Sequence, residues 1–273
     1  MLKKELMDTV RSVKTWITAA VLLLLPMADL VRKVLYQYEP YWQYPEMYPE
    51  GLRPTDILHP SFAGFLAGGI PTHAFQQLWF WIVPIWCLLL YGDSCVREYH
   101  CKYDSLLDTR ISKRKVFWTK NLAGFLIGFA VTLASVLVNY LLCVMIFPGT
   151  SFSGFEQLVG SKNATAFFDF SMTHPILIYC VYMLSFSIIS GLTCCMSVSL
   201  CMLLRSYKLA YCVAFVIWFP QVSMSSRGTI IEAIQPYSLA DISFLIHGIT
   251  VFLISVVVTV ILGYIRKVKY ETL

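Results

Sequence analysis

Seven of the chain's 21 Lys and Arg residues fall within one polar stretch, 91–120: Arg97, Lys102, Arg110, Lys113, Arg114, Lys115 and Lys120. The chemistry open to such a set is electrostatic rather than covalent. Leu106, Leu107, Ile111 and Val116 fall roughly on one face of a short helix with charge on the other side, the pattern of a helix lying at a membrane surface. Charge alone has a simpler reading, because any cytoplasmic loop of a membrane protein collects Lys and Arg.

Covalent and nucleotide chemistry lack their usual residues. There is no G-x-x-x-x-G-K-[ST], so the chain cannot hold ATP in the P-loop manner by itself. There is no H-E-x-x-H, no G-x-S-x-G and no intramembrane Asp pair, and an enzyme is not expected. His59, His73 and His247 stand without metal-ligand spacing. The nine cysteines fall in apolar runs or in the basic stretch, and read as small core residues rather than a disulfide framework. No cofactor is expected in this chain.

The elements that must position the basic stretch are apolar. With 58% hydrophobic and 14% charged residues, the chain is an integral membrane protein by composition. Its 273 residues suit a single transmembrane domain with short loops, since each span takes about 20 apolar residues. The net charge of +5 is a topology signal here, and no nucleic-acid partner is expected. The expected fold is all-α, with six spans at about 16–34, 76–90, 121–147, 176–204, 209–224 and 242–265.

Residues 1–15 place Leu2, Leu6, Val10 and Val13 on one face and read as an interfacial amphipathic helix. A signal peptide is the competing reading, against which Glu5 and Asp8 stand. Pro26 predicts a kink in the first span. Residues 39–75, rich in Pro, Gly and aromatics, read as an ordered external loop, and 150–174 as a second one that holds the sequon at Asn163. Gly124 and Gly128 would let another helix approach the third span. With both termini inside, 16 basic residues fall on inner segments and 5 on outer ones: Arg32, Lys33, Arg53, Lys162 and Arg227.

The order of residues in 91–120 carries a resemblance. An apolar span ends at the acidic Glu98, a short helix follows over 104–109, then Ser112 with Lys113, Arg114 and Lys115, and Lys120 opens the next span. This order resembles the first cytoplasmic loop of the type 2 ABC exporter permeases, although Cys101, Lys102 and Arg110 stand near places where that family often has Gly-Thr and Pro. The resemblance implies a coupling helix between spans two and three. It also implies two cytoplasmic ATPase subunits carrying ATP and Mg, a second permease copy or sister chain, and re-entrant helices over 225–241. The residues expected to dock on the ATPase are Glu98, Asp104, Leu106, Leu107, Asp108, Arg110, Lys113, Arg114 and Lys115.

Span interiors nearly free of ionisable residues point to a hydrophobic or amphipathic substrate rather than a bare ion. Trp79, Trp86, Ser187 and Thr193 are candidates for its path through the membrane lipid. The alternative is an intramembrane enzyme or membrane assembly factor working without an ATPase.

Overall fold

A computed structural model describes residues 1–44, 46, 51, 53–56, 58–67, 73–149, 170, 173–223, 229–236 and 242–269, and every regular element among them is helical. Eleven α-helices carry the argument below. α1 (Leu2–Arg11) ends at Ser12, whose extended backbone (ψ 119°) separates it from α2 (Val13–Gln43). The short α3 (Pro60–Ala63) precedes α4 (His73–Trp81) and α5 (Val83–Cys87). A π-helical turn (Leu88–Gly92) leads into α6 (Asp93–His100), α7 (Tyr103–Arg110) and α8 (Lys113–Ile146). Then come α9 (Pro175–Leu204), α10 (Tyr207–Ser223) and α11 (Ile242–Lys269).

Three of these, α8, α9 and α11, are long and apolar enough to cross a membrane, and α4 with α5–α6 makes a fourth if that bent pair counts as one span. The expectation of six spans is therefore met in three or four helices. α2 has 31 residues but carries Asp29, Arg32 and Lys33, and α10 has only 17. Lys162, Arg227, the sequon at Asn163 and nearly all of 150–174 lie outside the described residues, as do 224–228 and 237–241. Between those last two stretches, the described part of the expected re-entrant segment holds a 3-10 turn, Ile230–Ala233.

Two prolines, Pro26 and Pro84, have different outcomes. A proline inside a helix frees the carbonyl four residues back. Pro26 frees the carbonyl of Leu22, and the Ser135 hydroxyl of α8 donates to it at 2.7 Å. One turn along α8, the Asn139 amide donates to the carbonyl of Pro26 itself at 2.8 Å, so the expected kink is patched by its neighbour and α2 continues. Pro84 frees the carbonyl of Phe80, which accepts from the buried Trp218 indole at 2.6 Å. Here the chain does break, at Ile82, and the two halves meet at a 62° bend, so the expected span 76–90 is a broken one.

α9 is the hub, packed against α5, α6, α8, α10 and α11, and 72% of its apolar window is buried. Its longest seam is with α8, where the glycines singled out in the sequence sit. A methyl on Gly128 would stand 2.9 Å from Cβ of Cys194 and 3.1 Å from the Ser190 carbonyl oxygen, and one on Gly124 would stand 2.9 Å from Val198. Only small residues allow backbones this close. The seam is closed by polar contacts, Thr132 to Ser190 at 2.7 Å and Ser199 to Asn121 at 2.9 Å. All nine cysteines are free thiols, and Cys87, Cys95, Cys143, Cys194 and Cys201 are buried, in keeping with their reading as core residues.

The segment read as part of an external loop is folded into the bundle over 59–67. Ser61, Ala63, Phe65 and Leu66 are fully buried. Apolar burial could not hold this segment unless its peptide groups found partners. Lys33 donates to the carbonyls of Ala63 (3.2 Å) and Gly64 (3.0 Å) and pairs with Asp29 at 2.9 Å, all three groups lying together in the interior. The Phe65 amide donates to Asn139 (3.0 Å), its carbonyl accepts from Gln76 (2.8 Å), and the Leu66 amide reaches the Tyr179 hydroxyl (3.4 Å). The Asp29–Lys33 pair adds two ionisable groups to an interior expected to be nearly free of them, although it carries no net charge.

Candidate functional site

The basic stretch is built from three short pieces whose polar groups are tied to other elements. Lys102 turns the chain between α6 and α7 with a left-handed backbone (φ 56°), and extended residues at Ile111 and Ser112 turn it again into α8. α7 thus lies across the end of the bundle as a separate helix.

Its acidic face is clamped. Asp104 and Asp108, one turn apart, share the ammonium of Lys267 from the last turn of α11, with Asp108 at 3.0 Å. Lys267 is 2% exposed, and α11 reaches this position because Gly263 lets it lie against the Ser199 backbone. A second pair, Glu98 of α6 with the buried Lys120 of α8, fixes the preceding helix. α1 joins the same layer. Its Glu5 is buried and accepts from the Tyr91 hydroxyl at 2.8 Å, and Lys4 bonds the Tyr103 hydroxyl at the start of α7. The contact with Tyr103 raises the Lys4 pKa above its ordinary value. Lys14 pairs with Asp93, which also accepts from Tyr211 at 3.0 Å. On the far side Arg205 donates to Tyr99 at 3.1 Å and lies over its ring.

The expected docking residues divide accordingly. Glu98, Asp104 and Asp108 are committed to intramolecular ion pairs. Leu106 (63% exposed), Arg110, Arg114 and Lys115 face outward, and Leu107 and Lys113 are half-buried. The clamp is thus acidic and inward, and the free surface is basic with one apolar residue at its centre.

The expected path residues do not gather around an opening. Trp79 is 1% exposed, wedged between Phe65 (centroids 5.2 Å apart) and Phe186 (5.8 Å). Ser187 and Thr193 are fully buried, and their hydroxyls return to carbonyls of their own helix, those of Met183 and Ile189, each at 2.8 Å. Trp86 is half-buried with its indole nitrogen lacking a partner among the described residues. A cavity of about 260 Å³ lies instead at the polar end, between α1, the start of α2 and α6.

Reading the sequence missed Lys267, Lys33, Asp29, Glu5 and Tyr91. The i, i+4 spacing of Asp104 and Asp108 is the one local signal that a cation should sit between them; nothing near Lys267 names it as that cation.

Long apolar helices packed around α9, with a layer of ion pairs closing one end, define an all-α membrane protein. Over 212 residues the chain is 28% identical to the uncharacterized protein YybM of Bacillus subtilis (strain 168), an alignment that covers 77% of this chain and 83% of that protein. No protein-family model matches the chain, and no solved structure matches it.

Proposed function

We propose that this chain is the membrane permease subunit of an ATP-driven exporter of the type 2 ABC kind. The observation that carries the reading is the clamped helix α7. A short surface helix fastened to α11 through Lys267, to α1 through Tyr103 and, by way of α6, to α8 through Glu98 and Lys120 moves only if those helices move with it. A push on its exposed residues therefore reaches the bundle, which is what coupling to a cytoplasmic motor requires.

In this reading α2 and α10 also cross the membrane, giving six spans with both termini inside, and the 3-10 segment Ile230–Ala233 faces outside. ATP and Mg belong to the partner ATPase subunits, and a second permease, identical or homologous, completes the assembly. The buried Asp29–Lys33 pair is neutral overall and Arg32 beside it lies over the rings of Tyr36 and Phe75, so few charges are left for a passing ion, and the substrate is hydrophobic or amphipathic.

Affinity purification of the full chain from its native membrane tests the reading. Recovery of a P-loop ATPase, lost when Leu106 is changed to Asp, supports it. Recovery of the chain with no ATP-hydrolysing partner, or an ATPase retained equally by Leu106→Asp, overturns it in favour of an assembly factor or enzyme.

A further inference from the structure

The cavity at the polar end has walls of both signs. Asp8, on α1, and Arg97, on α6, both line it; they are exposed and make no ion pair or hydrogen bond among the described residues. Deeper in, Asp93 uses one oxygen for Lys14 and Tyr211, while its Oδ1 is buried without a partner among the described residues. A buried carboxylate oxygen left unpaired is costly, and Asp93 is one of the residues that line the cavity. The unused groups are thus a guanidinium on one wall and a carboxylate, with a further carboxylate oxygen, on the others. Their complement is a molecule that carries an oxyanion and an N–H-bearing cation a few bonds apart.

The rim says where such a molecule comes from. Ser12, Lys14 and Thr15 line the cavity, whereas the interleaved Val13, Trp16 and Ile17 are 72%, 62% and 61% exposed. α1 continues this apolar edge through Met7 and Val10. A polar pocket bordered by bare apolar side chains at the end of a membrane bundle matches a headgroup with acyl chains beside it, not a freely dissolved metabolite.

We propose that this cavity binds the headgroup of an amine-bearing phospholipid, with Arg97 on the phosphate and with Asp8 and Oδ1 of Asp93 receiving the ammonium N–H groups. Arginine's planar fork suits a phosphate, and a primary ammonium brings three donors. A choline headgroup has no N–H to give. A headgroup that is only anionic would set a phosphate against Glu5, Asp8, Asp93 and Glu98 and leave Oδ1 of Asp93 unmatched. The inference rests on the placement of α1 and α2 at a membrane surface proposed above, and not on the exporter reading.

The test is native mass spectrometry of the purified full chain in detergent, titrated with phosphatidylethanolamine, phosphatidylcholine and phosphatidylglycerol of the same acyl composition. The ethanolamine lipid should be retained about tenfold more firmly than either other lipid, the weight of one charge-assisted hydrogen bond. Asp8→Asn and Arg97→Lys should each remove most of that preference, while Arg266→Gln, at an exposed site on α11, leaves it intact. Soluble phosphoethanolamine at the same concentration should not compete. Equal retention of the three lipids, a preference unchanged in both variants, or competition by the soluble headgroup would overturn the proposal. None of these readings involves an ATPase, so they stand or fall separately from the exporter test.

Discussion

The ammonium of Lys267 is shared by Asp104 and Asp108, 163 and 159 residues earlier in the chain, and joins the last helix to the short helix α7. Lys267 is buried, while the two carboxylates keep 17% and 13% of their surface exposed. Lys267→Met should leave two carboxylates facing each other without a counter-ion. Removing one partner of a buried pair costs ~3–5 kcal/mol, and partial solvation of the acids brings the expected loss to about 2 kcal/mol. Hydrogen exchange over 103–110 should speed up while the α8–α9 seam stays protected. Adding Asp104→Asn and Asp108→Asn should restore part of the loss, and exchange that is unchanged in Lys267→Met would show that the clamp does not hold α7.

In the proposed exporter, the outward side of α7 and the start of α8 should bind the partner ATPase through summed weak contacts. Exposed charge pairs contribute ~0.2–1 kcal/mol each, so single reversals at Lys113, Arg114 or Lys115 should change capture little. Reversing all three to Glu should lower it about tenfold, and a rise in salt should weaken the wild-type complex in the same direction. Undiminished ATPase capture by the triple variant would remove the basic face from the interface.

Much of this architecture was legible because it is written locally. Leu2, Leu6 and Val10 mark α1 as amphipathic, and Gly124 and Gly128 mark the close seam before any partner is known. Ser112 followed by three basic residues marks the entry to α8. The polar layer was not legible for the same reason. Lys267 and Lys33 look like the charges that flank any span, and what makes them structural is a partner far along the chain: Asp104 for one, the carbonyls of Ala63 and Gly64 for the other. The inward fold of 59–67 was hidden by its Pro and Gly, although its run Phe62–Ala67 carries no polar side chain and could have signalled burial. The hydroxyl-rich look of α9 does not by itself mark a lining, because a serine or threonine inside a helix readily satisfies itself on its own backbone, as Ser187 and Thr193 do.

Gly64 tests how tightly the inward segment is seated. A methyl there would stand 2.4 Å from the Tyr179 hydroxyl, far inside contact distance, and Tyr179 is itself held in a stack with Tyr140 at 4.4 Å. Gly64→Ala should destabilise the protein by about 1–3 kcal/mol, the range for overfilling a packed interior. Adding Tyr179→Phe removes the oxygen and the Leu66 amide contact but keeps two ring carbons 2.5 Å from the new methyl, so it should recover only part. A thermal midpoint unchanged by Gly64→Ala would mean the segment can shift freely.

Topology has a native reporter. Cys101 is exposed at the turn before α7, on the side that the proposed topology puts in the cytoplasm. An impermeant thiol reagent should reach it only after lysis. Gly51→Cys, in open space at a left-handed backbone position (φ 85°) that a cysteine adopts at some strain, should label in intact cells. The reverse pattern would invert the assigned orientation. Labelling of both in intact cells would break the six-span reading.

The last prediction concerns pH and comes from His59. Its backbone is extended, Pro60 occupies the first position of α3, and Nδ1 accepts the Ser61 amide proton at 3.2 Å, so the imidazole caps the helix in its neutral form. Burial lowers its pKa below the ordinary value of 6.5. Above that value both the folded and unfolded chains hold a neutral imidazole, and the cap is fully present. As the pH falls through about 6.5 the unfolded chain takes up a proton first, so stability declines until the folded pKa is reached and then levels off. Thermal unfolding in detergent between about pH 8 and pH 5 should show this loss in the wild type. His59→Asn keeps a capping oxygen and should flatten the profile over that window, whereas His59→Ala should cost about 1 kcal/mol above about pH 6.5 and less as the pH falls and the wild-type cap is lost. If the wild type and His59→Asn lose stability in parallel, the proton is taken up elsewhere and His59 is not the group responsible.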